Sequence, residues 1–130
     1  MWDVNYGTFE ELEKHLMHKR ITAWDRDKLV LEDGTTITIE ESESYCCASA
    51  GGAFRDVKLD AVITDISIVQ DENLSSEEWE MTTNYAEVRI FSNNNPIAIA
   101  DCSANDGNGG YYYSVCALEI KDVYYPVVRA

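Results

Sequence analysis

The dipeptide Asp33-Gly34, set between the β-rich runs 28–32 and 35–40, constrains the fold of this chain more than any other feature. A two-residue hairpin turn needs positive φ at its centre, which Gly adopts freely and Asp tolerates, so Asp-Gly between such runs marks a β-hairpin. Thr35, Ile37 and Ile39 alternate with Thr36, Thr38 and Glu40, one apolar-leaning face against a polar one. The same punctuation recurs downstream. Ser92-Asn93-Asn94-Asn95-Pro96 is a turn, because Asn accepts positive φ and Pro ends pairing. Residues 103–110 are rich in Gly, Asn and Asp and read as a loop.

The remaining segments fill in around these turns. Thr8-Phe9-Glu10-Glu11 is a capping box, and Phe9, Leu12, Leu16 and Met17 follow at helical spacing, which predicts a helix over 9–18. The basic run His18-Lys19-Arg20 complements the dipole at its C-terminal end. Segment 21–24 is a short β run. Residues 48–53 are small and Gly-rich, a loop or tight bend, and 54–59 fit a short helical turn. Residues 61–69 carry Val62, Ile63, Ile66, Ile68 and Val69, the best β segment. In 84–91, Tyr85, Glu87, Arg89 and Phe91 alternate with Ala86, Val88 and Ile90. Segment 71–80 is polar, with Ser75 or Ser76 as a cap for a short turn. Strands are expected at 97–102 and 111–121, with an edge piece at 123–128 interrupted by Pro126. At 130 residues the chain is long enough to bury about two thirds of its unfolded surface. The expectation is one α+β domain over 1–130: a single N-terminal helix packed on a mostly antiparallel, strongly bent β-sheet of six to eight strands.

Charge restricts function. Ten Lys and Arg face twenty-four Asp and Glu, a formal net charge of -14. Binding nucleic acid through its phosphates needs clustered bases, so direct nucleic-acid binding is not expected; a basic protein surface is the natural partner. Residues 1–58 hold seven bases and twelve acids, residues 59–130 three bases and twelve acids. Two acidic clusters stand out. One is Glu40-Glu41-Ser42-Glu43; the other runs from Asp71-Glu72 to Glu77-Glu78-Trp79-Glu80. Asp71, Glu72, Glu77, Glu78, Trp79 and Glu80, with Glu40, Glu41 and Glu43, are the expected partner-binding residues. The carboxylates steer association and Trp79 serves as an anchor.

Catalytic motifs are missing. No Gly-x-Ser-x-Gly, His-Glu-x-x-His or Gly-Lys-Ser/Thr pattern occurs, and an enzyme is not expected. The N-terminus has no basic and apolar leader, and no run approaches the roughly 18 apolar residues of a membrane span. A cytoplasmic location is the expectation, with Cys46, Cys47, Cys102 and Cys116 as thiols or metal ligands rather than disulfides. No Cys-x-x-Cys knuckle is present. If 103–110 closes a hairpin, Cys102 pairs near Tyr112, which separates it from Cys116 by roughly 13 Å and disfavours a four-cysteine site. Two readings stay open: buried free thiols, or a zinc site of Cys46, Cys47 and Cys102 completed by a carboxylate, His or water. His15 and His18 lie three apart on the predicted helix, a spacing that suits solvated surface positions and also allows metal binding. Tyr111-Tyr112-Tyr113 and Tyr124-Tyr125 add aromatic area suited to an interface.

Three segments together resemble a family of small, uncharacterised phage and prophage proteins. They are Leu29-Val30-Leu31-Glu32-Asp33-Gly34-Thr35, then Cys46-Cys47-Ala48-Ser49, then Asn108-Gly109-Gly110-Tyr111-Tyr112, and the resemblance covers about residues 28–120. In size, acidity and lack of enzyme motifs the chain also looks like the type II-A anti-CRISPR inhibitors of streptococcal phages, some of them zinc proteins. That second resemblance implies an inhibitor that binds the RNA-guided effector nuclease, whose nucleic-acid channels are basic. Two other expectations share parts of this logic. One is an immunity protein that neutralises a basic nuclease toxin; the other is a small zinc-binding protein, enzyme or sensor.

Overall fold

In the computed structural model, residues 4–70, 81–107 and 112–130 are described, together with the backbone of 76–78. Helix α1 (Phe9–Leu16) starts where the capping box places it: Thr8 Oγ1 accepts the Glu11 N–H at 3.2 Å and donates to Glu11 Oε1 at 3.3 Å. It stops at Leu16 rather than at residue 18, because Met17 is already extended and His18 has φ +67°. Leu12 and Leu16 are fully buried, and His15 sets its ring edge-on against Tyr125.

Ten strands follow: β1 (Ile21–Trp24), β2 (Lys28–Leu31), β3 (Thr36–Ser44), β4 (Ala50–Arg55), β5 (Asp65–Gln70), β6 (Ser76–Glu78), β7 (Met81–Ser92), β8 (Asn95–Asn105), β9 (Ser114–Ile120) and β10 (Val123–Arg129). Every ladder is antiparallel. The helix and the antiparallel strands are as expected, but the strands number ten rather than six to eight and form two sheets instead of one bent sheet. The first has the order β1-β2-β3-β9-β10; the second has the order β4-β8-β7-β5, with β6 also paired to β7. The chain leaves the first sheet at residues 45–49 and returns to it before β9. Periodicity marks most of the strands but misses β4 and β6, whose segments read as a loop and a turn, and it does not say which strand pairs with which.

The turns behave as their residues dictate. Gly34 takes φ +89°, and Asp33 Oδ1 accepts the Thr35 N–H at 2.9 Å. Asn93 and Asn94 take φ +48° and +71° and close the β7–β8 hairpin, in which Ser92 faces Asn95. Pro96 does not end pairing as expected, since it lies inside β8 opposite Phe91, and Pro126 sits beside a bulge in the edge strand β10. Ala86, Val88 and Ile90 are buried, as the alternation in 84–91 requires.

Several boundaries differ from expectation. Residues 48–53 are not a loop, and 54–59 are not a helical turn. β4 occupies Ala50–Arg55 and buries Phe54. Gly52 is there for proximity: a Cβ on it would collide with the Asp101 carbonyl oxygen of β8, whereas one on Gly51 would meet nothing within 4 Å. The strand expected at 61–69 begins only at Asp65, because Val62 makes a lone bridge to Arg20 and the Ile63 carbonyl accepts the His18 N–H. β8 continues to Asn105, into the expected loop, and β9 begins at Ser114.

The two sheets enclose one cluster of buried side chains. β8 presents Ala98, Ala100, Cys102 and Ala104, all buried, and β9 answers with Cys116, Leu118 and Ile120. Small side chains on one strand leave room for large ones on the other. Gly52→Ala is expected to cost about 1–3 kcal/mol by forcing β4 away from β8, with Gly51→Ala within about 0.5 kcal/mol of wild type. Urea midpoints of the two variants check this, and equal midpoints would refute the close approach.

Candidate functional site

The two places where the chain changes sheets lie together at one end of the sandwich. Ser114, wholly buried, joins them. Its Oγ lies 2.6 Å from the Asn105 carbonyl and 2.9 Å from the Ser49 carbonyl, one proton serving the two, and accepts the Asn105 N–H at 3.1 Å. The Asn105 side chain accepts the Ser49 N–H at 2.9 Å and donates to Ser49 Oγ at 2.8 Å. The Tyr45 N–H reaches the Tyr113 carbonyl at 2.9 Å. On this framework stand three aromatic rings. Tyr45 lies 5.5 Å from Tyr112 and stacks on Tyr113 at 6.3 Å; Tyr45 and Tyr113 are 56% and 43% exposed.

The four cysteines divide between this end and the core. Cys46 and Cys47 are exposed in the turn, with sulfurs 3.1 Å apart and φ +51° at Cys46. The Cys46 thiol is drawn down by the Cys47 sulfur and the Tyr112 hydroxyl, while Cys47 is pushed up by Cys46. Cys102 and Cys116 are buried on different sheets, so Cys102 does not pair near Tyr112 and the two are neighbours across the interior. The adjacent Cys116 sulfur, and burial, push the Cys102 thiol far up. Cys116 Sγ donates to the Gly51 carbonyl at 3.5 Å. Cys102 thus lies inside the sandwich while Cys46 and Cys47 face solvent at its end. Among the described residues, no three His, Cys, Asp or Glu side chains converge as metal ligands would. His15 is packed on Tyr125, and burial draws its pKa down.

The carboxylates expected to bind a partner have different fates. Asp71, Glu72, Trp79 and Glu80 lie outside the described residues; for Glu77 and Glu78 only the backbone, in β6, is described. Glu40, Glu41 and Glu43 are parted by a bulge in β3. Glu41 Oε1 accepts the Ala50 N–H at 3.0 Å. Glu43 accepts the Tyr6 hydroxyl, which also lies 2.9 Å from Ser42 Oγ, and Arg129 sits 5.9 Å over the Tyr6 ring. Burial and the Glu43 carboxylate push Tyr6 up to about 12.

Glu40 is different. The register puts Thr38, Glu40, Glu119 and Tyr124 on the outer face of the first sheet. Asp122 follows in the β9–β10 turn, where its N–H approaches Glu119 Oε1 at 3.4 Å. Burial, then Glu119, Glu40 and Asp122, push the Tyr124 hydroxyl up. Glu119 and Asp122 escaped sequence reasoning because they are isolated in the chain; only strand pairing gathers them. Lys28 lies in the same row beyond Thr38. The ion pairs among described residues all lie elsewhere: Lys19 with Asp33, Arg20 with Glu32, Arg55 with Asp56, Glu87 and Asp101, and Arg89 with Glu87.

Residues 14–118 match a domain of unknown function, DUF7448. The chain belongs to this family. No curated protein and no solved structure matches it. The matched stretch runs from within α1 to β9, so it includes both sheet crossings, the Cys46-Cys47 turn, Glu40 and the whole of the second sheet.

No helix among the described residues is long and apolar enough to cross a membrane. A titration tests the Tyr6–Glu43 contact. Because the folded value of Tyr6 is raised, its contribution is complete below the ordinary tyrosine value of about 10 and is lost as pH rises to about 12. Tyr6→Phe is expected to cost about 1 kcal/mol at neutral pH. Denaturation curves at successive pH values should show the gap between variant and wild type closing across that window; a gap independent of pH would mean that Glu43 is not engaged.

Proposed function

We propose that this protein is a non-enzymatic, phage- or prophage-encoded inhibitor. It docks through the carboxylates of its first sheet onto a basic surface of a nucleic-acid-processing host protein, the type II CRISPR effector nuclease. The observation that carries the reading is the uneven compensation of charge. The outer face of the second sheet neutralises its acids with Arg55 and Arg89. Glu40, Glu119 and Asp122 surround Tyr124, and none of the three is in an ion pair among the described residues. A half-buried tyrosine amid free carboxylates suits a cationic partner: the ring supplies contact area and the charges supply steering. The sequence adds five acids within 71–80. A groove built to hold nucleic acid offers the complementary field.

The test is association with the purified effector nuclease, followed by surface-bound kinetics at low and high salt. The triple variant Glu40→Gln/Glu119→Gln/Asp122→Asn is expected to slow association by roughly tenfold or more at low salt, with its melting temperature unchanged within a few degrees. Raising the salt should erase most of the difference. Absence of association between the wild-type protein and the effector at low ionic strength would end the proposal. An unchanged on-rate for the variant would remove this face from it.

A further inference from the structure

The structure assigns a second chemistry to the end of the sandwich: we propose that Cys46 and Cys47 are a reversible dithiol–disulfide site that exchanges with low-molecular-weight disulfides such as oxidised glutathione. It stands independently of what the carboxylate face binds.

Three observations carry it. Both thiols are exposed, and their sulfurs are already 3.1 Å apart, so ring closure needs only a small rotation to reach the bond length of about 2.05 Å. The turn that holds them is fixed on both sides. Tyr45 is tied to Tyr113, Ala48 N–H reaches the Tyr45 carbonyl at 3.2 Å, and Ser49 is clamped by Asn105. The backbone of the turn is therefore held on both sides of the pair, with both thiols exposed. The Cys47 sulfur first, and the Tyr112 hydroxyl after it, draw the Cys46 thiol down and favour its thiolate, the form that attacks. Cys102 and Cys116, by contrast, are 3% and 0% exposed and serve as an internal control.

The exchange balances with a disulfide as oxidant. The Cys46 thiolate attacks one sulfur of oxidised glutathione; a Cys46–glutathione bond forms and one glutathione thiolate leaves. Cys47 then loses its proton and attacks the Cys46 sulfur. The Cys46–Cys47 bond forms, and the second glutathione leaves. Two protein thiols are oxidised, one glutathione disulfide is reduced to two thiols, and the protons pass to the departing sulfurs. Adjacent residues hold their Cα atoms about 3.8 Å apart, below the roughly 4.4–6.8 Å that an unstrained disulfide spans. The product is therefore strained and readily reduced, which places it among labile rather than structural bridges.

Fully reduced, folded protein is incubated with excess oxidised glutathione, quenched in acid, and followed by intact mass and peptide mapping. The wild-type chain is expected to lose the mass of two hydrogens, to remain monomeric, to place the bond within the peptide holding Cys46 and Cys47, and to recover on addition of dithiothreitol. Cys47→Ser should stop at one glutathione on Cys46, and Cys46→Ser should react several-fold more slowly. A wild-type chain that stays reduced, retains glutathione, or links through Cys102, Cys116 or a second chain would overturn the site. Equal rates for the two variants would overturn the role of Cys46 as the attacking thiol.

Discussion

One buried hydroxyl holds the arrangement together. Ser114 Oγ takes up backbone groups of Ser49 and Asn105 at the points where the chain leaves one sheet and re-enters it. Buried backbone groups without partners cost about 1–3 kcal/mol each, and a change of sheet strands such groups, because the ladder that served them ends. By satisfying them from one side chain, the protein brings both crossings to the same end. Everything placed there follows: the Tyr45, Tyr112 and Tyr113 cluster, the exposed thiols, and the facing of β8 against β9.

The charge pattern follows from the pairing in the second sheet. Glu87 lies directly opposite Asp101, and like charges in that relation destabilise a sheet. Arg55 relieves the repulsion by bridging to both, with Asp56 as a third contact. These pairs are largely exposed and individually weak; their importance is that they fix where the few bases go. With Arg89 paired to Glu87 and with Lys19 and Arg20 drawn to the β2–β3 turn, four of the ten bases are held away from the outer face of the first sheet. The surplus of negative charge is thus concentrated by the fold and not spread evenly over it.

Much of the local structure was legible. Thr8 and Glu11, Asp33-Gly34, and the Asn93-Asn94 turn each carry their conformation in their own chemistry, and each is found as read. The alternation of Ala86, Val88 and Ile90 identified a buried face. What could not be read was partnership. Cys102 and Cys116 look like members of one hairpin because a Gly-rich loop lies between them, yet that segment is a change of sheet, and it places the two sulfurs face to face across the interior. Gly51 and Gly52 read as a loop because glycine most often serves turns; here Gly52 serves a close approach of two strands, and no local signal separates the two uses. Glu119 and Asp122 are invisible in the sequence for the same reason that Glu40-Glu41-Ser42-Glu43 looks like a single cluster there. A run of acids in sequence is split by alternation and by the β3 bulge, while scattered acids are gathered by register.

The two proposed chemistries share one electrostatic field and respond to it with opposite sign. A chain of charge -14 attracts a basic partner, so added salt weakens that encounter. Oxidised glutathione is an anion, and the same field opposes its approach to Cys46, so added salt favours the exchange. A disulfide without net charge feels neither effect. Ionic strength therefore separates a surface that works by long-range attraction from a thiol pair that works by contact. A small aromatic cluster beside the thiols then has a physical purpose: Tyr45 and Tyr113 give the approaching disulfide apolar area to rest on, an attraction of short range that salt does not screen.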